Sequence, residues 1–485
     1  MRTEQSILAN KLLAWAFMAY LGVLPLTGTI ALRHLLMVMA LLLAVFVAFV
    51  SFSHESLVTY RDLAIAWLPL WAWWGYLCVF PLISEYPGVA WHSFRIDWVM
   101  CIGVGITGLI CASRASMQGP SIFALGVACM VPVFVHWTLI LFNWSGLLGT
   151  VVPLVMTWPE IWNALQTQWN AGWSVSVGHG SFRWPFHGFD PDHGNLGLAA
   201  TQSVALLLPL FLTAWFQRNR LHAVLAFAGL ALCLGSVVIA MSRGALIFCT
   251  LVVLSGLALQ LLRRDWHFSV RVSGVYGVVL AMILGLGGLA IAKDPRWGLL
   301  NDKIQAAWMV QDPVGYFCEG PTPELEQRVR SSLDGARPEH VEAVLAGLSG
   351  DGGRLLAARA GLDLVAENPW GVDGSRDVFK HLIEEACDGV PKIEFAHSHN
   401  GWIDLLLAVG WIGAGLYLSV FLGMMAWGFR CFRQNPSNLW AQALLLTLVF
   451  WLFRGLVDSV YREHALLMQT ALITYLGGRT WLTKA

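Results

Sequence analysis

Charge is what this sequence has least of. Only 12% of its 485 residues are Asp, Glu, Lys or Arg, where a soluble domain carries roughly 25%. Hydrophobic residues make up 57% and the mean hydropathy is +0.63. Such a chain cannot cover itself with solvated side chains, which excludes a soluble enzyme. Intrinsic disorder is excluded as well, because it needs low hydrophobicity and high charge. Acids and bases balance at 30 each, so no basic surface points to nucleic acid, and no nucleic-acid partner is expected. The nine cysteines contain no Cys-x-x-Cys pair, against a zinc ribbon or a thioredoxin-like site. Internal repeats and low-complexity segments are missing too, which disfavours an inverted-repeat transporter.

What the sequence does have is apolar runs. About twelve are long enough, or nearly so, to span a bilayer, near 12–30, 34–52, 63–83, 98–112, 121–142, 194–214, 221–240, 244–262, 272–292, 401–428, 438–456 and 464–481. They are too long and too uniformly apolar for barrel strands. The expected fold is an all-α polytopic integral membrane protein of about twelve transmembrane helices. The 25 Trp residues suit interfacial belts. No small-residue cleavage site precedes Pro25, so the first span is expected to be retained.

Arg61, Arg114, Arg218, Arg220, Arg263, Arg264, Arg271, Arg430 and Arg433 fall in alternate loops, together with the two termini. The positive-inside rule then places both termini in the cytoplasm. The expected organisation is N-terminal spans over 1–142, a first outer loop over 143–193, central spans over 194–292, a large outer loop over 293–400 between the ninth and tenth spans, and C-terminal spans over 401–485. The stretch Glu324 to Leu348 is helix-like. Cys431 falls in a short basic loop. Cys318 and Cys387 both lie in the large loop, on the oxidising side, and are expected to form a disulfide.

Ionisable residues at the outer membrane boundary are the candidates for chemistry. Arg183 to Asn195 interleaves aromatics with Arg183, His187, Asp190, Asp192 and His193. Its alternative role is a surface loop capping the next helix through Asp192 or Asn195. Metal-ligand spacing there is not diagnostic. Ser242-Arg243-Gly244 stands at the junction of two apolar runs, where the Arg either serves function or snorkels to headgroups.

Asp351-Gly-Gly-Arg354 opens a helix ending at Asn368-Pro369, with Leu355, Ala358, Leu362 and Val365 on one face. Arg359 has Asp363 four residues on, and Glu367 beyond, which reads as a solvated ion-pair row. Arg354 has no such partner and sits at a helix start, where the dipole disfavours a cation. A bound anion would justify it, so Arg354 ranks above Arg359. His397-Ser398-His399-Asn400-Gly401 borders the next span. A His there can take a proton from a hydroxyl, or be a satisfied interfacial side chain, and Ser398 or Asn400 is placed to cap the span. Two His one residue apart make no zinc site without further ligands. Several arginines, one candidate base and no metal motif suit an anionic leaving group such as a phosphate or diphosphate.

Three stretches together resemble a known family. His399-Asn400, nine residues, Gly410, two residues and Gly413 fit the His-Asn-x9-Gly-x-x-Gly pattern of bacterial O-antigen ligases. Arg354 followed by Asn368-Pro369-Trp370-Gly371, and Ser242-Arg243-Gly244, resemble the family's Arg and Ser-Arg-Gly stretches. The similarity covers about Arg183 to Gly415. The resemblance implies a GT-C-like, metal-independent glycosyltransferase of the bacterial inner membrane, needing no cofactor, with its active site on the periplasmic face. It implies an undecaprenyl-diphosphate-linked glycan as donor, lipid A core as acceptor, and membrane lipids around both. His399 would be the catalytic base and Arg354, Arg243 and Arg183 the diphosphate ligands. Arg359, His397, Asn400, His187, Asp192 and His193 are secondary candidates. Val372-Asp373-Gly374 departs from the family's more usual Gly-x-Gly. O-antigen polymerases and protein O-oligosaccharyltransferases share this layout and remain alternatives. A lipid-linked glycan flippase is the alternative of another class, although span interiors hold almost no ionisable residue besides His136.

Overall fold

The computed structural model describes residues 2–50, 67–114, 120–144, 159, 193–239, 242–262, 270–293, 297–349, 352–374 and 377–482. Among these residues there is no strand. The first group of helices is α1 (Arg2–Val23), α2 (Ile30–Val50), α3 (Leu68–Ile83), α4 (Pro87–Ser93), α5 (Val99–Arg114), α6 (Ile122–Cys129) and α7 (Val131–Trp144). Next come α8 (His193–Phe216), α9 (Arg220–Ile239), α10 (Arg243–Leu261) and α11 (Val270–Lys293). Six short helices follow: α12 (Leu300–Met309), α13 (Pro313–Glu319), α14 (Pro323–Ser332), α15 (Pro338–Leu348), α16 (Gly353–Glu367) and α17 (Val378–Ala386). The chain ends with α18 (Gly401–Gln434), α19 (Leu439–Arg454) and α20 (Glu463–Leu482).

Within the described residues, each apolar run of the sequence falls on one of these helices or on a consecutive pair. Six stretches of the described residues are long and apolar enough to cross a membrane: Ile30–Phe49, Pro87–Ser113, Gly194–Phe216, Arg220–Val238, Arg243–Leu261 and Gly401–Gln434. This is the architecture of a polytopic membrane protein. The run near 98–112 is longer than the sequence indicates, because a π-helical turn at Phe94–Trp98 joins α4 to α5. The run near 121–142 is instead two helices, divided at Met130. Cys431 is buried within α18 rather than in a loop, since that helix continues to Gln434.

The bundle is built round α8, which is almost wholly buried beneath α6, α9, α10 and α19. Its polar side chains are used inside. Gln202 donates to Thr447 Oγ1 at 2.9 Å and accepts from Trp451 Nε1 at 2.8 Å, tying α8 to α19. Away from water, each such group needs its partner.

The short helices α12 to α17 pack on one another, and their apolar side chains join the core of the long helices. The Phe317 ring meets Phe379 and Phe395 edge-on, with centroids 6.1 and 5.5 Å apart. Helix starts follow the sequence. Asp312 accepts from Gly315 N at 2.8 Å and Thr322 from Leu325 N at 3.3 Å, each with Pro in the first turn. The stretch Glu324 to Leu348 is two helices, because Gly335 at φ +83° and Pro338 interrupt it. Cys318 and Cys387 are joined as a disulfide, Cα atoms 5.2 Å apart, linking α13 to the end of α17.

Candidate active site

Two segments of backbone build the candidate site at the N-terminal end of α18. One is the turn His397 to Asn400, and the other is Gly455 to Arg462, between α19 and α20. Asn400 caps α18: its Oδ1 accepts from Trp402 N at 3.0 Å and Ile403 N at 3.1 Å. Its Nδ2 donates to Leu456 O at 2.9 Å. Gly401 N donates to Gly455 O at 2.7 Å and Asp458 O at 3.0 Å. Asp404, one turn further, accepts from Ser398 N at 3.0 Å through Oδ1 and from the Ser459 hydroxyl through Oδ2. Asn400 is therefore a structural residue, and the two segments are stitched into one unit.

His399 sits in this turn at φ +55°, a backbone region that costs a non-glycine residue energy unless its surroundings hold it. The bonds on either side of it supply that hold. Its ring stands edge-on to His397, centroids 4.2 Å apart, and to Phe395 at 5.4 Å. The Nδ1 atoms of both histidines are buried without a hydrogen-bond partner. Burial, then His397, then Arg354 push the His399 pKa down to about 3. Burial and then Arg462 lower that of His397, against the pull of Asp404 and Asp458. These influences disfavour the imidazolium and hold the His399 ring neutral.

Arg354 lies in the first turn of α16 with its side chain exposed. Its charge reaches His397, His399 and Asp458, and no hydrogen bond or ion pair joins it to another described residue. Arg359 is occupied otherwise. It donates to Ala307 O at 2.7 Å and lies over the Trp308 ring, 5.0 Å from its centroid. The row expected with Asp363 and Glu367 does not form, because the guanidinium turns towards α12.

Ser242-Arg243-Gly244 begins α10. It borders the same neighbourhood through Arg454: a Cβ on Gly244 would stand 3.1 Å from Arg454 Nη1. Arg454 is buried, stacks over Phe248 at 5.4 Å and is ion-paired with Asp458. Burial works to raise the Asp458 carboxyl, but Arg454 and Arg354 outweigh it and hold the pKa below the usual value. Arg454, Asp458 and Arg462 did not figure among the sequence candidates. Their signal was available, since all three stand at the ends of the last two apolar runs.

Arg183, His187, Asp190 and Asp192 lie outside the described residues, as does the side chain of His193, whose backbone opens α8. Asn195, in that helix's first turn, accepts from His464 Nε2 at 2.6 Å and so ties α8 to α20. Among the described residues no three His, Cys, Asp or Glu side chains converge as metal ligands.

The remaining motif residues have structural tasks. Val372 N and Gly374 N donate to Leu407 O and Ala408 O, each at 2.8 Å, and Trp411 N donates to Pro369 O at 3.1 Å. The stretch Pro369 to Gly374 is thereby docked on α18 where that helix breaks at Gly410, φ +70°.

Comparison with known proteins agrees with this arrangement. Residues 228–418 match the family model described as O-antigen ligase. That stretch takes in Arg243, Arg354, His399 and both motif glycines. No curated protein matches the chain.

Proposed function

Taking as premise that the chain carries an O-antigen ligase family domain over residues 228–418, we propose that it is a membrane glycosyltransferase acting on an undecaprenyl-diphosphate-linked glycan. The acceptor in this reading is the lipid A core of lipopolysaccharide. The observation that carries it is the pairing of a neutral His399, fixed in a left-handed turn at the mouth of a span, with an arginine one helix away whose charge reaches it.

The chemistry is a single inverting displacement. An acceptor hydroxyl oxygen attacks the anomeric carbon while His399 takes its proton. The bond from that carbon to the diphosphate oxygen breaks, and its electron pair leaves with the diphosphate. Arg354 and Arg243 receive the growing negative charge. Such donors contribute most when they are held ready before the charge develops. Asp458 and Arg454 act one step removed: they anchor the loop that carries the His399 turn. Arg183 is a third diphosphate ligand in this proposal.

The reading places the chain in the bacterial inner membrane with about twelve spans in a GT-C-like arrangement, both termini cytoplasmic and the site periplasmic. The Cys318–Cys387 disulfide supports that side, since disulfides persist in the periplasm and not in the cytosol.

The test is transfer by the purified protein from an undecaprenyl-diphosphate glycan, with EDTA present. Lipid A core, a pilin-like protein and no added acceptor are compared. Product on lipid A core supports the ligase. Ladders without added acceptor mean a polymerase, and glycosylated pilin a protein O-oligosaccharyltransferase. Equal inactivity of wild type and His399→Ala with every acceptor would move the assay to glycan-lipid movement across vesicles.

A further inference from the structure

The outward side of α16 carries a narrow stripe in which Leu362 and Ala366 are exposed and Leu355 and Arg359 half-exposed, with the other charged side chains beside it rather than on it. Leu355, Arg359, Leu362 and Ala366 fall within one narrow stripe at 100° per residue. Its opposite face, with Leu356, Ala357, Ala360 and Leu364, is the buried one. Of the residues that the sequence pattern groups on one face, Leu362 is 54% exposed and Val365 is buried. Asp363 and Glu367 stand on the flank of the stripe, and Arg354 on the other flank.

The stripe continues at both ends. Above it Trp308 of α12 is 62% exposed, with Arg359 stacked on it. Below it Trp370 is 72% exposed, and next to that Trp411 is 59% exposed on α18. Trp411 belongs to a helix long and apolar enough to cross a membrane, and its exposed ring stands on the outside of that helix. Gly410 lies nine residues into that helix, about 14 Å along its axis, and Trp370 touches it there. At the other end Gly361 packs on Ile403 and Ser398, at the start of the same span. Helix α16 therefore runs alongside the first turns of α18, with the exposed rings of Trp370 and Trp411 towards one end and that of Trp308 towards the other.

We propose that this face of α16 is seated in the lipid leaflet at the Gly401 end of α18, with Arg359 and Trp308 at the level of the lipid phosphates. Lipid is the occupant because the stripe extends the lipid-facing surface of a span. Its order also follows the bilayer: apolar side chains deep, an Arg stacked on a Trp at the rim. Arg359 gives one N–H group to Ala307 O, and its remaining donors are available to a headgroup phosphate. The inference does not rest on the glycosyl-transfer chemistry proposed above. It makes α16 a wall between bilayer and site, with Arg354 on the side towards His399.

The test uses the full chain in vesicles of phosphatidylethanolamine and phosphatidylglycerol. Cys78, the exposed free cysteine among the described residues, is first replaced by Ser. Leu355→Cys, Leu362→Cys, Ala366→Cys and, as a water-facing control on α14, Arg328→Cys are each labelled with an environment-sensitive fluorophore. At 362 and 366, lipids carrying a nitroxide on the acyl chain are expected to reduce emission at least two-fold, and aqueous iodide to have little effect. At 355 a headgroup-borne nitroxide quenches best. At 328 iodide alone quenches. Ala366→Cys is a small change at an exposed position and keeps the readout should Leu362→Cys misfold. Iodide quenching at 362 and 366 equal to that at 328 would overturn the proposal in favour of a water-facing surface. Protection from both quenchers would overturn it in favour of protein cover, by a second copy or another segment of this chain.

Discussion

Gly371 and Gly410 meet backbone against backbone, both at positive φ, +80° and +70°. A Cβ on either would run into the other's chain. This contact explains why two sequence motifs, Asn-Pro-Trp-Gly and His-Asn-x9-Gly, occur together. One supplies a descending segment and the other a broken helix to receive it.

Gly410→Ala is expected to destabilise the protein by at least about 2 kcal/mol, from left-handed strain together with the clash against Trp370 O. Gly415→Ala meets nothing within 4 Å, and alanine gains up to about 1 kcal/mol in a helix interior. Thermal stability of the two variants in detergent checks this. Equal midpoints would mean that the junction is not tight.

Arg354 and Arg359, five residues apart, are expected to behave differently. Arg354→Ala removes the cation beside His399 and should lower transfer by about 10² to 10³-fold, the usual range for a lost charge-stabilising donor. Arg359→Ala removes a bond to Ala307 O and a stacking contact. It should cost about 1 to 2 kcal/mol of stability with a much smaller loss of turnover. Rates normalised to folded protein decide between them, and a larger loss in Arg359→Ala would reverse the assignment.

Much of this was legible in the sequence. The long helices follow from the apolar runs; His399 and Arg354 are candidates by the rule that charge at a membrane boundary needs a reason, and the structure brings the charge of one to the ring of the other. Arg454 and Asp458 obey the same rule but stand at the end of α19 and in the loop after it, in a stretch that resembles no motif, so only packing shows that they brace Gly401. The four apolar residues that share a face of α16 in the sequence do not share an environment: Leu362 is exposed, Val365 is buried and Leu355 is half-buried, because near lipid apolarity no longer says which side is the core. Asn400 was legible as a cap of the following span, and the structure gives it that task through Oδ1 while its Nδ2 holds Leu456 O.

Removing one member of the Arg454–Asp458 pair should be more harmful than removing both. Arg454→Met leaves the half-buried Asp458 carboxylate without its ion-pair partner, a change expected to cost less than the roughly 3 to 5 kcal/mol of a fully buried pair. The double variant Arg454→Met with Asp458→Asn should recover part of that loss. Folded yield and melting temperature measure it. A double variant as unstable as the sum of both singles would mean that the two residues act independently.

The disulfide closes a loop of 69 residues, which in the chain-entropy model is worth about 4 kcal/mol to the segment it encloses. Cys318→Ser should leave the spanning helices inserted but loosen α13 and α17, detectable as faster proteolysis between them. Reduction should slow the wild-type band in electrophoresis and leave Cys318→Ser unchanged. A variant band that still shifts would point to another bridge.

The pH profile tests His399 as a base most directly. A base works only when unprotonated, so activity falls as pH drops through its pKa. That pKa is held at about 3 by burial, then by His397 and Arg354. Wild-type kcat/KM should therefore show no His-type decline between pH 7 and 5, where an ordinary imidazole would already be protonated. Arg354→Gln removes one of the cations that oppose protonation, so the acid limb should move to higher pH while the rate falls. His397→Gln should move it the same way, because the second ring also disfavours a charge on the first. His399→Ala should abolish transfer while donor binding persists. An acid limb that stays in place when Arg354 or His397 is replaced would show that the titrating base is not the imidazole of His399.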